Sequence, residues 1–292
     1  MKVDNAIIMA AGTSSRFAPL SYEKHKAMTV VKGEVLIERQ IRQLIEAGIS
    51  DIYIVIGYKA EQFEYLIEKY GVKLIPNNDY KNRNNNASIW AARDVLKNSY
   101  VCSADNYFSE NPFEPDVDDA YYAAEYAEGS TKEWCMTEDG EGYISSVMIG
   151  GKDAWFMFGH TFWSGEFSEK FLSILDKEYD LQGTANKLWE EIFMAHLDVL
   201  KMKIRKYDLG VIYEFDTLDE LREFDDSYIT DTRSKLLKEI SSQLNVPEKD
   251  IVNIRNINGA NAEAIGFEFE CPKGLYNYSY ETQTLQMRGQ KN

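Results

Sequence analysis

Cysteine is scarce in this chain. There are three in 292 residues, Cys102, Cys135 and Cys271, an odd number at no metal-ligand spacing. Their pattern argues against a disulfide framework and reads as reduced thiols, in keeping with an expected cytoplasmic location. Positive charge is also in deficit: 32 Lys and Arg stand against 48 Asp and Glu, a formal net charge of −16. So acidic a chain is a poor partner for nucleic acid. No apolar run reaches the length of a membrane span, and Met1-Lys2-Val3-Asp4 leads straight into a strand-like run without a signal-peptide core. Internal repeats and low-complexity linkers are absent as well. If such a chain binds an anionic ligand, a few placed cations and a divalent metal must meet its charge.

What is present is an alternation of strand and helix. "NAIIMA" (Asn5 to Ala10) reads as a buried strand; Val35, Ile37, Ile41, Leu44 and Ile45 then fall at near-helical spacing, with Gly48 as a C-cap. "DIYIVIGY", "KLIPNN" and "SYVCSADN" read as further strands, with "AEQFEYLIEKYG" and "SIWAARDVLK" as the helices between them. The succession predicts an α/β fold with a doubly wound, mostly parallel sheet, whose ligand sits at the carboxyl ends of the strands. Aromatic-rich strands with Gly turns between Ala120 and Ser164 predict an antiparallel insertion. Helices over "SEKFLSILDKEYD" and "ANKLWEEIFMAHL" follow, then a strand pair ending in "GVIYEFDT". From Ile229 onward a polar helix stopped near Pro247, a strand, a Gly/Asn turn and a strand pair predict a small α+β appendage, giving domains of 1–228 and 229–292.

The chemistry concentrates in "IIMAAGTSSRFAPLSYEKHKAM", Ile7 to Met28. A loop after the first strand can offer backbone N–H groups to phosphate oxygens, and Arg16 and Lys26 can reach the same oxygens. Only Gly12 is glycine in this loop, so it is neither G-x-G-x-x-G nor a P-loop. An ordinary strand-turn with two exposed cations is the plain alternative. Two aspartates, Asp105 in "SADN" and Asp216 in "YEFD", end strand-like runs, where a carboxylate pair can share Mg²⁺.

The loop resembles the signature of nucleotidyltransferases, L-A-A-G-x-G-[ST]-R-x-x-P-x-T-x-x-x-P-K. Ala10, Ala11, Gly12, Ser15, Arg16, Pro19 and Lys26 match it, whereas Ser14 replaces the second glycine and His25 the proline before the lysine. With "GYKAEQFEYLIEKYGVKLIPNNDY", "NNNASIW", "KEWCM", "GHTFW", "NKLWEEIF" and "IYEFDT", the chain resembles the bacterial CTP:phosphocholine cytidylyltransferases from about Met1 to Asp225. That resemblance implies a Rossmann-like fold of the nucleotide-diphospho-sugar transferase type with a substrate-binding insertion. It also implies Mg²⁺-dependent transfer of CMP from CTP to phosphocholine.

Carried over residue by residue, the resemblance makes Lys26 and Arg16 catalytic and Asp105 and Asp216 the metal ligands. Nucleotide binding falls to Ala10, Ala11, Gly12, Ser15, Arg16, Asn84, Asn85, Ser88 and Ala104. The family often has an aspartate where this chain has Ser103. A trimethylammonium group is held best by aromatic faces and a carboxylate, which points to Trp134, Trp163, Trp189 and Glu190, Trp134 and Trp189 foremost, with Tyr107 and Tyr122 weaker candidates and His160 structural. Two other functions stay open: the sister activity on 2-aminoethylphosphonate, and a non-catalytic nucleotide-binding module suggested by Ser14, His25 and Ser103. The segment after Tyr228 faintly resembles the start of a choline kinase N-terminal lobe, without its catalytic loop. Its exposed strand edges and Tyr276, Tyr278 and Tyr280 suggest a homodimer contact.

Overall fold

The computed structural model describes residues 1–259 and 264–289. Its contacts divide into two compact units, one of Met1–Gly12 with Leu36–Glu214, the other of Thr13–Val35 with Phe215–Asn292. The loop that carries Arg16 and Lys26 therefore groups with the C-terminal segment, and the boundary expected at residue 228 falls inside the second unit.

The first unit is built on a seven-stranded sheet. In spatial order its strands are Lys203–Lys206, Tyr121–Glu138, Ile144–Trp163, Ser99–Ser103, Asn5–Ala10, Ile52–Ile56 and Lys73–Pro76. Asn5–Ala10 is buried along nearly its whole length, as an apolar strand covered on both faces must be, and pairs in parallel with Ile52–Ile56 on one side and Ser99–Ser103 on the other. Asn5 is satisfied inside the core, donating to the Val95 carbonyl at 2.7 Å and accepting from the Ser99 hydroxyl at 2.6 Å. The chain runs outward from the first strand through Ile52–Ile56 to Lys73–Pro76, then returns to the first strand's other side. That reversal is the switch point where α/β sheets open a crevice. It sets Ala10-Ala11-Gly12 beside Ser103-Ala104-Asp105, with the Ala104 N–H donating to the Met9 carbonyl at 3.1 Å.

The antiparallel insertion is present as Tyr121–Glu138 and Ile144–Trp163, a long bulged pair. It is fused to the main sheet, because Ile144–Trp163 also pairs antiparallel with Ser99–Ser103. The expected strand pair ending in "GVIYEFDT" is not a pair. Lys203–Lys206 runs parallel to Tyr121–Ala124 at the sheet edge, while Ile212–Glu214 pairs antiparallel with Asn106–Phe108. Helices are shorter than the apolar spacing predicts. "SIWAARDVLK" contributes to a helix of only Asn86–Ala91, and "ANKLWEEIFMAHL" resolves into a 3-10 turn, Thr184–Asn186, then a helix over Trp189–Ala195. The break lies at Leu188, whose extended backbone (ψ 155°) cannot continue a helix.

In the second unit, Lys235–Leu244 is helical, capped by the Ser234 hydroxyl on the Leu237 N–H and ended by Asn245 in the left-handed region two residues before Pro247. A four-stranded antiparallel meander follows: Val252–Asn258, Ala264–Cys271, Gly274–Ser279 and Thr284–Gly289. The expected Gly/Asn turn runs into residues 260–263, which lie outside the described residues. The fourth strand was not anticipated because the turn before it lacks glycine and asparagine; Gln283 takes the positive φ of 52° instead. Tyr276 and Tyr280 are buried and Tyr278 half-buried, so the aromatics expected to lie in water are largely covered inside this unit.

Candidate active site

The signature loop is ordered by local devices that differ from the family pattern in a physically readable way. Ser14 adopts φ 49°, ψ 46°, the left-handed region that glycine enters at no steric cost. The position is thus one that the second glycine of the signature suits, and this chain fills it with a mildly strained serine. His25, at the proline position, is buried, and its Nδ1 accepts the Ala27 N–H at 3.1 Å, capping the 3-10 turn Lys26–Met28. The turn that presents Lys26 is held by that imidazole.

Lys26 and Arg16 converge on one carboxylate within the second unit. Lys26 Nζ lies 3.3 Å from one Asp216 oxygen, and Arg16 Nη1 lies 2.6 Å from the other. The Lys26 side chain is buried, with its ammonium 5.7 Å from the Phe17 ring centre, so the carboxylate offsets the cost of enclosing a charge there. Arg16 is exposed. Asp216 precedes the helix Leu218–Phe224, whose Thr217–Glu220 capping box also engages the Asp216 N–H at 2.7 Å.

At the strand ends of the first unit, Ala10, Ala11 and Ala104 are buried. A Cβ placed on Gly12 would meet nothing within 4 Å, so the backbone there stands open. Gly57 does the opposite work: a Cβ would sit 2.9 Å from the Ala11 carbonyl oxygen and 2.7 Å from the Tyr80 ring, and its absence lets the second strand approach the loop. Asp105 occupies the half-buried turn between Ser99–Ser103 and Asn106–Phe108. Asp105 belongs to the first unit and Asp216 to the second. Among the described residues no three His, Cys, Asp or Glu side chains gather as a ready metal cluster.

A third group, wholly in the first unit, centres on Glu190. One carboxylate oxygen accepts from Asn85 Nδ2 at 3.0 Å and the other from the Tyr122 hydroxyl at 3.4 Å. Asn85 Oδ1 accepts the Trp189 N–H at 2.7 Å, closing a ring of contacts at the N-terminus of the Trp189–Ala195 helix. Tyr122 stacks on Trp189, with centroids 5.8 Å apart and planes 16° from parallel. The Glu190 carboxyl is pushed up to about 7 by burial, against the bonds from Asn85, its own N–H and Tyr122. It forms no ion pair among the described residues. Glu214 acts on the same phenol: its charge and that of Glu190 help raise Tyr122 well above an ordinary tyrosine, behind burial as the main cause.

The other expected residues fall as follows. Asn84 is exposed, bonded through its N–H to the Ala185 carbonyl and through Nδ2 to the Asn186 carbonyl. Ser88 is buried and accepts from Asn77 Nδ2 at 3.2 Å. Trp163 is fully buried, donates to the Thr161 hydroxyl at 3.0 Å and packs edge-on to Trp189 at 5.0 Å. Trp134 is half-buried against the same apolar cluster. Tyr107 carries the Arg39 guanidinium 4.5 Å from its ring centre. His160 is buried among Tyr100, Tyr121, Phe108 and Phe113 and held neutral, down at about 3, by burial and by Arg205. Nothing in the local text around Tyr122 and Glu214 says that one strand brings Tyr122 to Glu190 and another brings Glu214 within electrostatic reach of Tyr122.

Comparisons with known proteins bear on the family and the fold. The family described as a MobA-like NTP transferase domain matches residues 6–111. Choline-phosphate cytidylyltransferase of Streptococcus pneumoniae is 34% identical over 221 residues, 76% of this chain and 96% of the relative. 2-Aminoethylphosphonate cytidylyltransferase of Lancefieldella rimae is 35% identical, over 79% of this chain and 95% of the relative. The solved structure of CTP:phosphocholine cytidylyltransferase from S. pneumoniae superimposes with a TM-score of 0.74 at 34% identity, covering 78% of this chain and 99% of that one.

Proposed function

The chain belongs to the family of bacterial cytidylyltransferases, and from that premise we propose that it transfers CMP from CTP to phosphocholine, giving CDP-choline and pyrophosphate. Glu190 carries the choice of acceptor. A half-buried carboxylate with no ion pair among the described residues, bonded to Tyr122, which stacks on the buried Trp189, is a place where a ligand cation gains a counter-charge beside aromatic rings. Trp134 is the further aromatic wall we assign to the quaternary ammonium. Trp163 supports Trp189 from the core.

The reaction needs no protein base, because the acceptor phosphate is already largely ionised at neutral pH. What it needs is alignment and charge stabilisation during in-line displacement at the α-phosphorus. Lys26, released from Asp216, meets the charge that develops there. Arg16, Ser15 and the N–H groups around Gly12 hold the departing pyrophosphate, with Ala10, Ala11 and Ala104 letting the nucleotide approach the backbone. Asn84 and Ser88 face the pyrimidine, and Asn85 links that loop to the amine pocket. The oxygen-only donors Asp105 and Asp216 suit Mg²⁺, and both are carboxylates accessible enough to exchange partners. When bound, the ion neutralises phosphate charge. On this reading residues 1–228 hold the chemistry, residues 229–292 are an appendage open to a homodimer contact, and the protein works in the cytoplasm.

One observation favours a second acceptor. Glu190 and Glu214 both act on Tyr122, and two carboxylates suit the primary ammonium of 2-aminoethylphosphonate, which can donate hydrogen bonds. Pyrophosphate release from CTP with each amine separates the readings: turnover with phosphocholine supports the first, turnover with 2-aminoethylphosphonate alone the second. Release with neither would make the chain a nucleotide-binding module.

A further inference from the structure

About a quarter of the chain lies outside its alignment with the S. pneumoniae relative, of which 96% is covered. We propose that the described residues of the segment 228–289 form a clamp that sets the conformation of the signature loop Thr13–Val35 for CTP, acting through Glu23, Tyr22 and Val30. The inference rests on the reading of that loop as the phosphate site, and every contact in it lies within the second unit.

The ties recur along the loop. Glu23, three residues before Lys26, uses one carboxylate oxygen to accept the Leu236 N–H at 2.7 Å and the Ser234 hydroxyl at 3.1 Å, and the other to accept the Lys235 N–H at 3.1 Å. The two N–H groups are orphan donors at the N-terminus of the helix Lys235–Leu244, so a loop carboxylate caps a helix more than 200 residues away in sequence. Tyr22 lies flat on Tyr280 of the meander, centroids 3.8 Å apart and planes 3° from parallel. The Val30 carbonyl accepts from the Tyr228 hydroxyl at 2.8 Å and from Arg233 Nη1 at 2.7 Å. Arg16 and Lys26 sit between and beside these anchors, drawn to Asp216. A loop of this length without extended secondary structure keeps one shape only where tertiary contacts supply it. Here the C-terminal segment supplies them, at positions on either side of Lys26.

The test uses the full chain with Tyr280→Ala, Glu23→Ala and Glu23→Gln, the last retaining one carbonyl acceptor for the helix N–H groups. Amide hydrogen exchange over residues 13–35 and the separate KM values for CTP and phosphocholine are read on each. The expected result is faster exchange in the loop and a KM for CTP raised about tenfold, with the KM for phosphocholine moved less than about twofold and Glu23→Gln recovering most of the loss. Should Tyr280→Ala fail to fold, Glu23→Ala, which removes a single cap, still decides. Loop exchange and CTP kinetics equal to the parent in Glu23→Ala would overturn the clamp, as would equal losses for both substrates. Arg16→Ala distinguishes the two layers: if it leaves CTP affinity unchanged, the phosphate-site reading fails and the proposal with it. If it weakens CTP while the clamp variants do not, only the clamp fails.

Discussion

Replacing Glu190 with Gln preserves the side chain's shape and its ability to accept from Tyr122 or Asn85, while removing the charge. Burial holds the native carboxyl at about 7 instead of 4.5, so ionising it in the folded chain costs about 3 kcal/mol. A carboxyl whose folded value is raised binds its proton more tightly folded than unfolded. Its stabilising contribution is therefore full below pH 4.5, fades as pH rises, and is gone above about 7. The Gln variant has no such loss, so its stability relative to the parent should climb by up to about 3 kcal/mol between pH 4.5 and 8, read from urea midpoints at constant m-value.

Phosphocholine affinity should move the other way. At roughly 4.5 Å and an effective dielectric near 20, a carboxylate and an ammonium attract by about 4 kcal/mol before the ammonium's own desolvation is subtracted. The acceptor gains this only from the ionised form. The ratio of variant to parent Kd should thus grow by up to about tenfold per pH unit from pH 5 to 7, then level off. Taking the ratio cancels the titration of phosphocholine's phosphate. Calorimetry at pH 7 in two buffers should show about half a proton released on binding to the parent and none from this group in the variant. A stability difference flat across pH 4.5–8, together with a Kd ratio independent of pH, would refute the assignment of Glu190 as the ammonium's counter-charge.

Lys26→Ala should lower turnover more than CTP affinity, whereas Arg16→Ala should impair both; equal losses confined to ground-state CTP binding would contradict that division. Asp105→Asn should leave the melting temperature near the parent's and lose most turnover, and near-normal turnover at limiting Mg²⁺ would rule out a metal role. Ser14→Gly should stabilise the chain by up to about 1 kcal/mol by relieving the left-handed backbone, measured by thermal melting with CTP kinetics unchanged. Trp134→Ala should weaken phosphocholine selectively by about 1 to 2 kcal/mol, while Trp163→Ala, fully buried, should cost about 3 to 5 kcal/mol of stability whatever the ligand.

Much of the first unit could be read from the text alone. A run apolar after its first residue, such as Asn5–Ala10, has no stable place except between two neighbours in a covered sheet, and alternation with helices leaves parallel pairing as the economical solution. The signature residues were legible because Ala10, Ala11, Gly12, Ser15, Arg16, Pro19 and Lys26 match the nucleotidyltransferase motif, whereas the loop's chemistry by itself also fits an ordinary strand-turn. Tertiary structure alone decided the rest. Which strand Ile212–Glu214 would join depends on distant partners with no local signal, as does the pairing of Thr284–Gly289. A tryptophan's letter is the same in a cage or a core; only packing separates half-buried Trp134 from Trp163 at the centre. Glu190 reads in sequence as one of 48 acidic residues. Its raised titration exists because the packing that folding assembles around it takes water away without supplying a positive charge, while the bonds from Asn85 and Tyr122, brought from other elements, pull the value part of the way back. Glu23 likewise gains its partners only when a helix from the far end of the chain presents its open N–H groups to it. Periodicity and motif chemistry are local properties, legible along the chain, whereas burial and charge balance belong to the neighbours that folding assembles.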